Sequence, residues 1–195
     1  MIKNHIFNHG LPYLYRVHTS KLKTLSPPSE LSVYLNSVHS NCPNDFFTQN
    51  PRASSIKIQL NANLFEVEGH ELSTLAHLAT KNQEKRKAHD FVETFFIERD
   101  KKTVSTEVPV WMINEGIISS SILTGHIDIL RLEENKIWVC DYKPKAEKEK
   151  FAATQTYLYS RMLSKRTNIN LENFRCCYFD EKKAFIFNPA EAKLE

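Results

Sequence analysis

Two aspartates and a lysine, set within β-forming runs, are the residues of this sequence best placed to do chemistry. The runs are 121–132 (SILTGHIDILRL) and 136–142 (KIWVCDY), joined by Glu133-Glu134-Asn135 in a hairpin pattern that suits a left-handed Asn135. Alternation places Thr124, His126, Asp128 and Leu130 on one face of the first strand. On the second, Ile137, Val139, Asp141 and Lys143 share a face. A carboxylate among apolar strand residues is costly unless it is paired or binds a cation. Two of them on neighbouring strands suit one Mg²⁺ or Mn²⁺, hard ions that prefer oxygen ligands. Lys143 would point into the same place, where an ammonium can position a water or offset charge on a phosphate. On the residues alone a plainer reading stays open, in which the aspartates end their strands and Lys143 makes a modest surface ion pair.

The elements that must position these residues are legible to different degrees. The spacing of Leu72, Leu75, Leu78 and Ala79, continued by Ala88, Val92, Phe95 and Phe96, predicts a helix over 71–99 with a basic middle at 81–87. That middle reads as a solvated face or as a phosphate-contacting ridge. The run 106–111 (TEVPVW) is β-rich, and its Pro109 places it at an edge or a strand start. A helix is expected over 152–164 with Leu158, Met162 and Leu163 in the core, followed by strands at 174–179 and 183–187. The first 50 or so residues say least. Ser26-Pro27-Pro28 suggests a helix start capped by Ser26, carrying Leu31, Tyr34, Leu35 and Val38 over 27–38. The stretch 40–55 reads as a loop, and the alternation of Ile56, Ile58 and Leu60 as a half-buried strand.

Taken together, Gly125-His126-Ile127-Asp128, then Asp141-Tyr142-Lys143, then Gln155 and Tyr159 resemble the PD-(D/E)XK nuclease superfamily, most closely its RecB-like exonuclease branch. That branch carries a GxxD strand, a DxK strand and a helix with QxxxY in this order, and the resemblance covers about residues 85–190. It implies a restriction-endonuclease-like α/β fold, with a mixed central β-sheet flanked by helices. It also implies metal ligands: His89, Asp128, Asp141 and the backbone carbonyl of Tyr142, with Lys143 as the catalytic lysine. His89 in KAHDFVETFF is the better match for the branch's upstream histidine, and His77 is its competitor. The acidic residue that relatives place before GxxD corresponds to Glu107; Glu93 lies one helical turn after His89. Gln155 and Tyr159, one turn apart, would face the site together. His126 shares a face with Asp128 and is a candidate substrate contact. Ile127 stands where the founding motif has proline, an ordinary departure within the branch.

Composition sets the outer bounds. The chain has 195 residues, 41% hydrophobic and 25% charged, which suits one nuclease domain: 1–70 as an N-terminal packing region and 71–193 as the catalytic core. The terminal Leu194-Glu195 is set aside as a vector-derived scar. Lys and Arg exceed Asp and Glu by 26 to 23, and the basic residues gather at 81–87 and 143–166, beside the proposed site. Only 4 Gly and no phosphate-loop motif argue against a nucleotide-binding loop. No apolar run is long enough for a membrane helix, no signal peptide is visible, and four cysteines make no disulfide framework; a cytoplasmic setting is expected. Some relatives hold an iron–sulfur cluster on one N-terminal and three C-terminal cysteines. Cys42, Cys140, Cys176 and Cys177 lack that spacing, so no cluster is expected here. The expected function is metal-dependent hydrolysis of DNA phosphodiesters, by an exonuclease on single-stranded or duplex (frayed) ends. Protein partners in repair, recombination or defence would be natural. An endonuclease of restriction or repair type, and a non-catalytic nucleic-acid- or partner-binding module, are the alternatives.

Overall fold

Eight strands make one sheet. Side by side they run β1 (Ile2–Asn8), β2 (Pro12–His18), β5 (Thr103–Ile113), β6 (Ile122–Glu133), β7 (Lys136–Tyr142), β8 (Phe174–Phe179), β9 (Lys183–Phe187) and β4 (Phe65–Glu68). All neighbours are antiparallel except β7 and β8. A two-stranded ribbon pairs β3 (Leu60–Asn61) with β10 (Lys193–Leu194). The computed structural model describes residues 1–81, 88–113, 116 and 122–195. The basic residues 82–87 and Ser121 therefore lie outside the described residues.

The described helices are α1 (Thr19–Leu25), α2 (Ser29–Asn41), α3 (Asn44–Gln49), α4 (Glu71–Thr80), α5 (Ala88–Arg99) and α6 (Ala152–Thr167). They cover both faces of the sheet, which lets its central strands be apolar on both sides. Leu72 and Ala76 of α4 and Val92 and Phe96 of α5 pack on Ile129, Cys140, Cys177 and Phe179. The other face buries Leu130, Val139 and Cys176 under Leu158, Met162 and Leu163 of α6, with Leu31, Leu35 and Val38 of α2 in the same core. The expected mixed sheet flanked by helices is the fold found.

Several local expectations are corrected. Residues 71–99 do not form one helix: α4 ends at Thr80, Lys81 leaves the helical conformation (φ −57°, ψ 120°), and α4 and α5 pack together. Ser26 does not open α2; it closes α1 in a left-handed conformation (φ 47°), and Pro28 precedes the first turn of α2. The loop expected at 40–55 contains α3 and a short 3₁₀ turn at Ala53–Ser55. Ile56 is buried and Ile58 packs against the core, but strand pairing begins only at Leu60. Pro109 lies well inside an interior strand, on a stretch of β5 whose outer side is locally an edge. β5 meets β2 only at Thr106 and Ser105, so beyond that point one side of β5 is free of strand partners and the missing N–H breaks no ladder. Leu194 pairs with Leu60, making the last residues part of the ribbon.

The first 70 residues, whose packing was hard to read, supply β1 and β2 at one side of the sheet and β4 at the other edge. On β6, the buried Arg131 joins Asp100 (Nε to Oδ2, 2.7 Å) and Glu71 (Nη2 to Oε2, 2.7 Å), with Lys102 bridging Glu71 and Glu133. This network ties α4, the end of α5 and the central hairpin together.

Candidate active site

The β6–β7 turn is two residues long, with Glu134 and Asn135 both left-handed (φ 50° and 58°), the combination a tight hairpin requires. Its ladder runs from Glu133↔Lys136 to Ile129↔Cys140 and stops there. The next position in register sets Asp128 opposite Asp141. In place of a strand carbonyl, Asp128 Oδ2 accepts the Tyr142 N–H at 3.1 Å. The strands part at this point, and the two aspartates sit at the fork.

Flanking elements complete the site. From α5, His89 Nδ1 lies 3.6 Å from Asp128 Oδ2, and its ring stands edge-on to Tyr142. Lys143, just past β7, puts Nζ 2.7 Å from Asp141 Oδ2. From α6, Gln155 Nε2 donates to Asp141 Oδ1 at 3.0 Å and to the Tyr159 hydroxyl at 2.8 Å. Tyr142 contributes a buried ring whose hydroxyl donates to Glu181. His77 is exposed near the end of α4, so of the two histidines it is His89 that meets Asp128.

Glu107 follows the same geometry. Thr106 pairs with Ile129 and Val108 with Ile127, so the register places Glu107 across from Asp128. Its φ of 49° is a strained value for a non-glycine residue inside a strand. Glu93, reached from α5, is buried beside Glu107; that burial, then the negative charge of Glu107, raises its carboxyl. The sequence sets Glu93 one helical turn after His89 without assigning it a role. The signal that could have found it is its spacing of four from His89, which puts both on one helix face.

His126 is placed differently from the expectation of a substrate contact. It is buried, its Nε2 lies 2.9 Å from His9 Nδ1, and its ring stacks on Tyr13. Burial and the nearby His9 and Arg52 hold its pKa well below the usual value, so it is a neutral packing residue. Cys140 and Cys177 are cross-strand neighbours on the α4–α5 face, Cys176 lies on the α6 face, and Cys42 is near His9.

The charges are strongly coupled. Burial, then the negative charge of Asp128, pushes Asp141 up to about 7 and Glu107 to about 8. Burial and Glu107 push Glu93 up as well. Burial also opposes charge on Asp128, but His89, Lys143 and the Tyr142 N–H outweigh it and hold that carboxyl below its ordinary range. Reciprocally, Asp128 and Asp141 raise Lys143 against the effect of burial, and Asp128 chiefly does so for His89. One carboxylate is thus charged and its neighbours resist charging, a state that a divalent cation would relieve.

By donor chemistry these residues fit such a cation. Among the described residues Asp128, Asp141, Glu107 and Glu93 share the site, and Glu107 Oε2 is buried with no hydrogen-bond partner. Among the described residues, no three His, Cys, Asp or Glu side chains are already drawn around one point. Asp128 is engaged by His89 and Tyr142, and Asp141 by Lys143 and Gln155.

The motif glycine is explained by contact with the motif tyrosine. A Cβ on Gly125 would lie 2.3 Å from Tyr159 Cε1, so the Tyr159 ring packs directly on the Gly125 backbone. Gly125→Ala is expected to destabilise the fold by about 1–3 kcal/mol through overpacking and to move Tyr159 off Gln155. A urea titration reads the first effect and a lowered cleavage rate the second.

A family model of the PD-(D/E)XK nuclease superfamily matches residues 39–195. The chain belongs to this superfamily. No curated protein and no solved structure matches it. PD-(D/E)XK proteins are generally nucleases that use divalent metals such as Mg²⁺ or Mn²⁺ and act on nucleic acid, and the eight-stranded mixed sheet agrees with their fold. Among the described residues of this PD-(D/E)XK chain, no helix is long and apolar enough to cross a membrane.

Proposed function

We propose that this chain is a divalent-metal-dependent deoxyribonuclease of the RecB-like branch, hydrolysing phosphodiester bonds as an exonuclease on single-stranded or frayed DNA ends. The observation that carries the reading is the fork of β6 and β7, where Asp128 faces Asp141 and Lys143 stands at ion-pair distance. His89, Asp128, Asp141, the Tyr142 carbonyl and Glu107 would hold Mg²⁺ or Mn²⁺. Held there, such a cation would acidify a water and screen phosphate charge.

The chain's own groups do the rest. Lys143, kept protonated by two carboxylates, would offer its ammonium to the phosphate and align the attacking water. Gln155 fixes Asp141 by its Oδ1 and is itself held by the Tyr159 hydroxyl, so the carboxylate keeps one orientation as substrate arrives. Residues 71–193 would be the catalytic core, with the first 70 residues completing its sheet. Mn²⁺-dependent cleavage of labelled linear and circular single-stranded DNA tests this. Cleavage of the linear form alone is the result expected. Cleavage of circles would establish the endonuclease alternative, and binding without cleavage a non-catalytic module.

Metal binding has a second readout. A carboxyl whose pKa is raised on folding stabilises the folded chain below the ordinary carboxylate range, and that stability is lost as pH climbs through the raised value. For Asp141 and Glu107 the loss extends through about 7 and about 8. A cation competes with those protons, so Mn²⁺ is expected to raise the melting temperature more at about pH 8 than at about pH 5.5. Equal shifts at both pH values would argue against these carboxylates as ligands.

A further inference from the structure

The β1–β2 hairpin has two unlike faces. Phe7, Tyr15 and Val17 are buried in the core shared with α2. Ile6 and Leu14, paired across the strands, are instead 60% and 36% exposed, and Leu11 at the tip is 66% exposed. Between this open face and α5 lies a cleft of about 450 Å³, within the size range of small-ligand pockets (about 300–1,000 Å³). Ile6, Leu11, Tyr13 and Leu14 line one side, and Asp90 and Glu93 line the other. Glu107, across the ladder from Asp128, also reaches the cleft, so the cleft is continuous with the acidic site. Arg16 lines it too, close enough to Glu93 to lower that carboxyl against the effect of burial, and among the described residues its buried Nη1 has no hydrogen-bond partner.

An apolar face, carboxylate acceptors and an unpartnered guanidinium nitrogen meet the three parts of a nucleotide. Aliphatic side chains can cover the flat face of a base and remove it from water. Asp90 can accept from an exocyclic amino group. Arginine is the side chain best suited to a phosphate. We propose that this cleft receives the unpaired base of a nucleotide next to the scissile phosphate, with Ile6 and Leu14 against the base and Arg16 on its flanking phosphate. A base held in a duplex stack cannot enter, so the cleft selects single strands. This inference rests on the nuclease reading above.

The test walks one abasic nucleotide along a linear single-stranded oligonucleotide, with Mn²⁺ and the full chain. At one position relative to the cut, KM is expected to rise about tenfold, with kcat much less affected. The Ile6→Ser/Leu14→Ser variant should show that same raised KM on intact DNA and no further penalty from the abasic site. Both positions are exposed, and an unchanged melting temperature checks the variant's fold. Wild-type cleavage indifferent to abasic sites would overturn the cleft proposal while leaving the nuclease reading intact. An unchanged KM in the variant would do the same. A light-scattering mass that falls from two chains to one in the variant would assign the face to self-association and overturn the proposal. Failure of the wild-type chain to cleave any DNA would overturn the nuclease reading and the cleft proposal with it.

Discussion

Asp128→Asn is expected to lower metal-dependent DNA cleavage by about 10³-fold, equivalent to about 4 kcal/mol of transition-state stabilisation. The amide keeps the size of the carboxylate and can still accept the Tyr142 N–H, so the fork of β6 and β7 should survive. What is lost is the one site carboxyl whose surroundings favour its charge, since His89, Lys143 and a backbone amide all converge on it. Its negative charge also keeps Asp141 and Glu107 hard to ionise. In the variant those two should titrate closer to the ordinary carboxylate range, and the pH profile of Mn²⁺ stabilisation should move to lower pH. Initial rates on labelled single-stranded DNA, with circular dichroism to verify folding, measure the main effect. A variant that folds and cleaves like wild type would remove Asp128 from the mechanism.

The largest effect on stability is expected at Arg131. Its side chain is fully buried and pairs with Asp100, itself only 4% exposed, while also reaching Glu71 and Glu133. Arg131→Ala would strand the Asp100 carboxylate in an apolar setting, with Thr103 Oγ1 and the Lys102 N–H as its remaining donors. Removing one partner of a buried pair costs about 3–5 kcal/mol, more than the pair itself contributes. Arg131→Ala together with Asp100→Ala should therefore be less damaging than the sum of the two single changes. Urea midpoints for the four proteins of that cycle measure the coupling. Strict additivity would show that the pair is not coupled.

What the sequence disclosed follows from where strong physical signals lie. Asp128, Asp141 and Lys143 were readable because charge inside an apolar β run is conspicuous, and alternation then fixes their faces. The tight turn at Asn135 and the strands at 174–179 and 183–187 were readable from composition. The β1–β2 hairpin was not, because its outward face carries Ile6 and Leu14 where polar residues would mark alternation. Six-residue α3 lacked the length to show a period amid Asn, Pro and Ser. Ser26 misled because a serine in a left-handed conformation can end one helix as readily as begin another. Glu107 was found by its place before the GxxD strand, yet nothing in its neighbourhood signals a φ of 49°. Its pairing with Glu93 depends on how α5 lies against β5, a tertiary relation invisible to either segment alone.

The Tyr142 N–H carries one more consequence. Every earlier rung of the β6–β7 ladder ends on peptide oxygen, while this one ends on the Asp128 side chain. A single amide resonance therefore reports the state of the whole acidic cluster. Its chemical shift should follow the titration of the carboxylates, and its exchange with solvent deuterium should slow or quicken as Asp128 is held or drawn away. Nuclear magnetic resonance of the ¹⁵N-labelled protein, followed at that one amide, would track occupancy of the site during substrate and cation titrations with no bond cut.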